Sequence, residues 1–297
     1  MAERRFSKVA VLKGGISSER EISLKSGAAI AEGLRAGGYE VTEVDVQSES
    51  LQIPEAIEAV FVALHGKFGE DGGVQARLAE LGLPFTGSNA ESSRVSFDKI
   101  LTRAVLEKNG IPVAQGEVLK TSKDWKLPVP VVVKPPREGS SVGCHLVFEA
   151  SDFEAAFADA QQYSEDVLVE DYIPGRELTV GVVNGQVLPV VEIQPKTEWY
   201  DFEAKYQSGD TAYICPAKLE PEVAAELQAL ALKTFQALEA DTFGRVDFRL
   251  SPENKPYVLE LNAIPGFTAT SLLPKAAQAV GIGFSELCCS IMEQAHL

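Results

Sequence analysis

Two acids, an amide and an arginine near the carboxyl end have the types and spacing for phosphate chemistry. They lie in GRVDFRL-SPENKP-YVLELN, where Val246, Phe248 and Leu250 alternate with polar residues, as do Tyr257, Leu259 and Leu261. Period-two alternation on both sides of a Ser/Pro/Asn-bearing connection predicts two strands and a turn. Folding the pair about the midpoint between Glu253 and Asn254 sets Asp247 directly opposite Glu260, and Arg245 opposite Asn262 on the same face. Carboxylates facing one another across a sheet repel, so a cation belongs between them. Two carboxylates and an amide oxygen are hard ligands that suit Mg²⁺, which keeps waters and bridges to phosphate oxygens. A solvated acidic face is the plainer alternative, and a one-residue slip of register would undo the pairing. The PGF turn that follows brings flexible backbone amides next to the acids.

A metal-bound phosphate also needs cations. Lys134 ends the strand VVVK, and the loop Arg137-Glu138-Gly139-Ser140-Ser141-Val142-Gly143 beside it can offer backbone N–H groups to phosphate oxygens. That loop lies between two strands and is not GxxxxGK[ST], so a Walker loop is excluded; an ordinary Gly/Ser turn remains the plainer reading. Lys99, taken alone, is a solvated helix lysine. Glu170 and Glu177 flank the strand end in VLVEDYIPGRE, as surface acids or as acceptors for an amine and hydroxyls.

The elements that must position these residues follow from patterning. KVAVL, YEVTEVDV and AVFVALHG are apolar strand runs separated by SSEREISLKSGAAIAEGLRAGG, which reads as a helix capped by Ser18 with Glu21 three residues on. GVQARLAELG is a second helix, so this part is a parallel sheet with helical faces. Ligands on such sheets bind at the carboxyl ends of the strands, here Gly14 to Glu19 and His65-Gly66. Ser96 to Asn109 reads as one amphipathic helix, followed by a small mixed unit of PVPVVVKP, HLVF, SDFEAAFADAQQY and EDVLVEDY. ELTVGVV, a turn at Asn184-Gly185 and QVLPVVEI form a hairpin. PKTEWYDFEAKYQSGDTAYICPA reads as a long functional loop. PEVAAELQALALKTFQAL is a helix, and the last helix gathers Phe284, Leu287, Cys288, Ile291 and Met292 on one face.

Composition bounds the function. The 297 residues carry 27 Lys+Arg against 43 Asp+Glu, a net charge of −16, with 45% hydrophobic and 24% charged residues. That mix is globular, with enough chain for about two or three domains. The acidic total disfavours nucleic acid and anionic membrane surfaces. No apolar run approaches the roughly 18 residues of a membrane helix, and the apolar stretch Val9 to Leu12 is too short for a secretory signal core. The four cysteines, Cys144, Cys215, Cys288 and Cys289, show no CxxC spacing, and a reducing cytoplasm is the expected location.

Taken together, LKGGISSEREISLKSG, ALHGKFGEDGGVQ, LPFTGS, DKILTR, VVVKPPREGSSVG, RELTVGVV, YDFEAKY, GRVDFRL and LELNAIPGFTATSLLP resemble, in that order along nearly the whole chain, the ATP-grasp superfamily and within it the D-alanine–D-alanine ligase family. The resemblance implies an α/β, three-lobed ATP-grasp architecture: an N-terminal parallel α/β domain over 1–89, a central lobe over 90–169 and a C-terminal lobe over 170–297. Nucleotide would lie between the last two. It implies ATP-dependent joining of two D-alanines for peptidoglycan precursors, with ATP and Mg²⁺ or Mn²⁺, two ions in all, as cofactors. A cytoplasmic homodimer acting on small molecules, with no nucleic-acid or membrane partner, is the expected state.

The resemblance further implies roles. Lys99, Lys134 and Lys205 would contact the phosphates, and Glu170, Ile173 and Glu177 would frame adenine and ribose. Asp247, Glu260 and Asn262 would hold the metal. Glu19 would take the ammonium of the first D-alanine, with His65 nearby. Arg245 and the Gly266 N–H would form the oxyanion hole, and Ser271 and Leu272 would receive the second carboxylate. Ser140, Tyr206 and Glu19 resemble a hydrogen-bonded set that closes the long loop, and Tyr206 favours D-alanine over D-lactate. Two departures stand out: Ala263-Ile264 lacks the Thr many relatives carry at the first position, and Pro136 removes a backbone donor. Among competing classes, GGISS is not the GxGxxG of a dinucleotide oxidoreductase. A non-catalytic nucleotide module would be expected to lose Asp247, Glu260 or a lysine, and all are present. A D-serine- or D-lactate-using ligase of the same superfamily is the nearest alternative.

Overall fold

Val9, Ala10, Val11 and Leu12 are all fully buried, which is why the first strand reads as a continuous apolar run rather than an alternating one. In the computed structural model, which describes residues 4–194 and 211–297, β1 (Lys8–Gly14) lies between β2 (Glu40–Val46) and β3 (Ala59–Val62), all parallel, with α1 (Arg20–Ala36) as the crossover. Gly14 closes the first strand with φ +85°, and a Cβ there would run into the Asp45 carboxylate. The expected cap differs. Glu19, not Ser18, occupies the position before α1, and no side chain caps it. Ser17 instead accepts from the Glu19 N–H and donates its hydroxyl to the His65 carbonyl, tying the first turn to the end of the third strand.

α2 (Gly73–Glu80) follows as expected, but the single helix expected from Ser96 to Asn109 is two: α3 (Ala90–Phe97) and α4 (Lys99–Lys108). Asp98 is extended between them, and its carboxylate accepts from the Ile100 and Leu101 N–H groups. An N-capping acid starts a new helix even where apolar periodicity runs on. The break makes Lys99 the first residue of α4 and aims it at the cleft.

The second sheet is antiparallel, ordered β4-β7-β5-β6 from β4 (Gly116–Leu119), β5 (Val131–Lys134), β6 (His145–Val147) and β7 (Val167–Asp171), with α5 (Phe153–Ala160) packed on it. The third is ordered β11-β10-β8-β12-β13, from β8 (Arg176–Val183), β10 (Val191–Gln194), β11 (Ala212–Ile214), β12 (Phe243–Leu250) and β13 (Pro256–Asn262), with β9 (Gln186–Val187) also on β8. The Asn184-Gly185 hairpin forms, though Leu188 to Val190 interrupt its second arm. The stretch expected to be all loop contributes β11, paired with β10.

Helix α6 (Pro221–Ala237) buries Leu227, Ala231, Thr234 and Phe235 against the third sheet. Leu106 of α4 and Ile111 join the same core, so these residues pack with the third sheet rather than with the second. After α7 (Leu272–Ala279), α8 (Phe284–Met292) buries Leu287, Cys288, Ile291 and Met292 as expected. It packs back on α1, where Gly33 lies so close that a Cβ would come within 2.9 Å of the Cys288 sulfur. The chain end also returns to the first sheet, Phe85 and His296 exchanging backbone hydrogen bonds. Phe61, Phe243 and Phe267 meet with ring centroids 5.9 Å apart in every pair, joining the first and third sheets in one core. Each such ring contributes about 2–3 kcal/mol by burial.

Candidate active site

The β12–β13 hairpin has the register the sequence predicts at its open end: Asp247 faces Glu260 and Arg245 faces Asn262. Near the turn it does not. A bulge between Asp247 and Phe248 pairs Phe248 with Val258, leaving Leu259 extra. Tyr257, Leu259 and Leu261 therefore do not share a face. Val258 and Leu261 enter the core, while Leu259 lines a cavity. Bulges re-aim side chains next to functional sites, and here the bulge keeps both acids on the cleft side.

Asp247 is held from several directions. The Arg245 guanidinium donates to both its oxygens, Nε to Oδ1 and Nη2 to Oδ2, each at 2.9 Å. Thr179 Oγ1 donates to Oδ1 at 2.5 Å, and Asn262 Nδ2 donates to Oδ2 at 2.9 Å. Glu260 faces Lys99 Nζ at 3.2 Å. Each carboxylate thus has a cationic side chain beside it, which is the compensation that opposed acids demand. Among the described residues no three His, Cys, Asp or Glu side chains gather as a metal cluster. Asp247, Glu260 and the Asn262 amide nonetheless form a hard-oxygen set that fits Mg²⁺ with waters and phosphate completing its shell.

Two cavities meet at these acids. The larger, about 460 Å³, is lined by Glu19, His65, Arg245, Gly266, Ser271 and Leu272. The smaller, about 110 Å³, is lined by Lys134, Glu170, Ile173 and Glu177. Lys99, Glu138, Ser140, Asp247 and Glu260 line both. Every expected site residue within the described chain therefore falls on one continuous cleft; Lys205 and Tyr206 lie outside the described residues.

In the larger cavity Ser140 Oγ donates to Glu19 Oε1 at 2.5 Å, joining the glycine loop of the second sheet to the start of α1. His65 is buried, and burial in the first place lowers its pKa despite the Glu19 charge nearby. A neutral ring accounts for its contacts: Nδ1–H donates to the Ile264 carbonyl at 3.0 Å, and Nε2 accepts from the Ser26 hydroxyl at 3.2 Å. Ser26 Oγ in turn accepts from the Phe267 N–H. His65 therefore fixes the PGF turn, and with it Gly266. Ser271 stands before α7, where its hydroxyl accepts from the Thr268 N–H and its own N–H reaches the Thr268 carbonyl. Leu272 begins that helix, where backbone N–H groups lack intrahelical acceptors.

In the smaller cavity Lys134 is buried and paired with Glu170 Oε2. Burial alone would lower the lysine pKa, but the neighbouring carboxylates outweigh it and the net shift is upward, so the ammonium stays charged. Arg103 Nη1 holds Glu170 Oε1 at 2.9 Å. Glu177 lies 3.5 Å from Arg249, whose Nε donates to the Ile173 carbonyl.

Patterning does not single out Glu70, Arg103, Thr179 or Ser26, yet each touches the site. Glu70 accepts from the Gly66 N–H at 2.7 Å. Burial, and next the Glu19 charge, push its carboxyl up to about 8. An unfolded-chain glutamate ionises near pH ~4.3. Between those values the folded state keeps a proton that the unfolded state has released, so this group makes stability fall as pH rises through that window. Glu70→Gln is expected to lessen the fall by about 1–3 kcal/mol. Urea midpoints across the window test it, and parallel wild-type and variant profiles would remove Glu70 as the cause.

A parallel sheet joined to two antiparallel ones, with a charged cleft on an acid-bearing hairpin, defines an ATP-grasp protein. The family description "D-ala D-ala ligase C-terminus" matches residues 100–293. D-alanine–D-alanine ligases of Methylacidiphilum infernorum and Bordetella pertussis are each 44% identical, over 97% and 98% of this chain and 95% and 96% of their own. The crystal structure of the Bacillus anthracis D-alanine–D-alanine ligase complexed with ATP superposes with a TM-score of 0.85 at 30% identity, covering 97% of this chain and 96% of that one. The chain belongs to the D-alanine–D-alanine ligase family.

Proposed function

We propose that this protein joins two D-alanines into D-alanyl-D-alanine at the expense of ATP, through an acyl phosphate, as a step in making peptidoglycan precursors. The observation that carries this reading is the junction of the two cavities at Asp247, Glu260 and Lys99. One cavity offers an acid, an arginine and a helix N-terminus for amino acids, and the other a buried lysine for phosphates. The curated relatives share the name of this activity, and the Bacillus anthracis structure is described as an ATP complex.

In this reading Glu19, oriented by Ser140, takes the first substrate's ammonium. A carboxylate oxygen of that first D-alanine attacks the γ-phosphorus, forming the acyl phosphate, and ADP leaves. Lys99 and Lys134 offset charge on the nucleotide phosphates, so catalysis here is positioning and electrostatics. Asp247, Glu260 and Asn262 would hold Mg²⁺, which supplies further charge neutralisation when bound. The neutral amine of the second D-alanine attacks the acyl carbon, phosphate departs and the amine loses a proton. Arg245 and the Gly266 N–H face the oxyanion, with His65 holding the turn that presents Gly266. Ser271 and Leu272 favour the second carboxylate at the start of α7. Three lobes at 1–89, 90–169 and 170–297, and a cytoplasmic homodimer, complete the reading.

Phosphate release with ATP and Mg²⁺ tests it. Release that requires D-alanine, without D-lactate or D-serine replacing it as second substrate, is the expected result. Release only with one of those acceptors would reassign the second substrate, and no release with any would overturn the reading.

A further inference from the structure

Arg103 sits one helical turn beyond Lys99 on α4, and residues four apart share a helix face. The two cations diverge: Lys99 reaches Glu260, and Arg103 reaches Glu170 in the smaller cavity. Glu170 and Lys134 lie on the adjacent strands β7 and β5, where Glu170 pairs with Val132 and Lys134 with Leu168, so their side chains are diagonal neighbours on one face. Arg103, Lys134 and Glu170 are only 13%, 11% and 12% exposed at their side chains. Lys134 takes one oxygen of Glu170 and Arg103 takes the other.

Gly116 is an independent sign that this arrangement is built. It pairs with Glu170 across β4 and β7. A Cβ at Gly116 would come within 2.8 Å of the Arg103 guanidinium and 3.1 Å of the Glu170 side chain. Its backbone is not in the left-handed region, so glycine is needed here for the room it leaves to the guanidinium.

A lysine already paired in a buried site meets a difficulty when a phosphate arrives. To turn toward the phosphate it must leave its carboxylate, and a buried carboxylate left alone is strongly disfavoured. A second cation on the other oxygen removes that penalty. We propose that Arg103 is a positioning residue of the nucleotide pocket: it holds Glu170 through Oε1 so that Lys134, on Oε2, is released to the nucleotide phosphates. This rests on the reading of the smaller cavity as the ATP site.

Calorimetric ATP binding by the full chain, alongside KM for ATP and for D-alanine, tests the proposal. Arg103→Met is expected to weaken ATP binding at least about tenfold, with D-alanine KM within about twofold of wild type. Arg103→Lys should recover most of the loss. The double variant Arg103→Met/Glu170→Gln should bind ATP more tightly than Arg103→Met, since a neutral amide needs no counter-charge. Gly116→Ala keeps every charge but displaces the guanidinium tip, and should raise the ATP Kd in the same direction; it carries the test if Arg103→Met does not fold. Wild-type-like ATP affinity in Arg103→Met or, where that variant does not fold, in Gly116→Ala, or losses that simply add in the double variant, would overturn the role of Arg103. Failure of the wild-type chain to bind ATP would instead sink the reading of the cavity.

Discussion

Glu260→Gln is expected to lower ATP turnover by about 10²–10³-fold or more while leaving the fold in place. The substitution keeps shape and removes one of the two negative charges that face each other, at Asp247 and Glu260, across β12 and β13. Two losses then act together. The oxygen set of Asp247, Glu260 and Asn262 becomes weaker for a divalent cation, and Lys99 loses the carboxylate 3.2 Å away that holds it at the junction of the two cavities. Stability should change little. Glu260 is 29% exposed at its side chain, a pair of that kind is worth about 1 kcal/mol at most, and removing one of two opposed acids relieves repulsion. Phosphate release measured across a Mg²⁺ titration, with a thermal melt alongside, checks both halves. Wild-type-like Mg²⁺ dependence in the variant would remove Glu260 from the site.

The hairpin that carries this prediction was legible because two independent sequence signals meet there. Alternation on both arms sets each strand's faces, and the short connection sets where the strands face one another. The arithmetic holds at the hairpin's open end for a reason the alternation conceals. The closing loop pairs Leu250 with Pro256, one step short of the symmetric register, and the bulge at Leu259 restores it before Glu260. A bulge leaves no mark in hydropathy when the extra residue is itself apolar. Leu259 reads as core and instead lines the smaller cavity.

What escaped the sequence has a common physical origin: partners that meet only in three dimensions. Asp98 looks like any helix acid until its carboxylate accepts from the next turn and splits one helix into two. Arg103 carries no sequence signal of its own beyond its spacing from Lys99, which puts both on one face. Its function depends on Glu170, 67 residues away. Glu70 lies in a Gly/Asp-bearing turn with no pattern to mark it, and the fold brings it within reach of the Glu19 charge. The carboxyl-terminal helix shows its apolar face plainly, but no periodicity tells that it packs back on α1 and β3 of the first sheet.

Arg245→Lys is expected to cost about 10²–10³-fold in kcat even though the charge is kept, and the reason is geometric. The guanidinium grips both oxygens of Asp247 from two residues away on the same strand, and lines the larger cavity opposite Asn262. A fork of fixed donors can brace Asp247 with some N–H groups and present others to a developing oxyanion. An ammonium on a flexible stem lacks that fixed arrangement. Asp247 would keep Thr179 and Asn262 as donors, so it would not be left bare, and the melting temperature should fall by only a few degrees. The loss should appear in kcat rather than in ATP binding, because the oxyanion exists only after the nucleotide has reacted. Steady-state kinetics with a parallel ATP titration separate the two. A kcat near wild type in Arg245→Lys would mean that charge alone suffices at this position, and that the fork on Asp247 is structural.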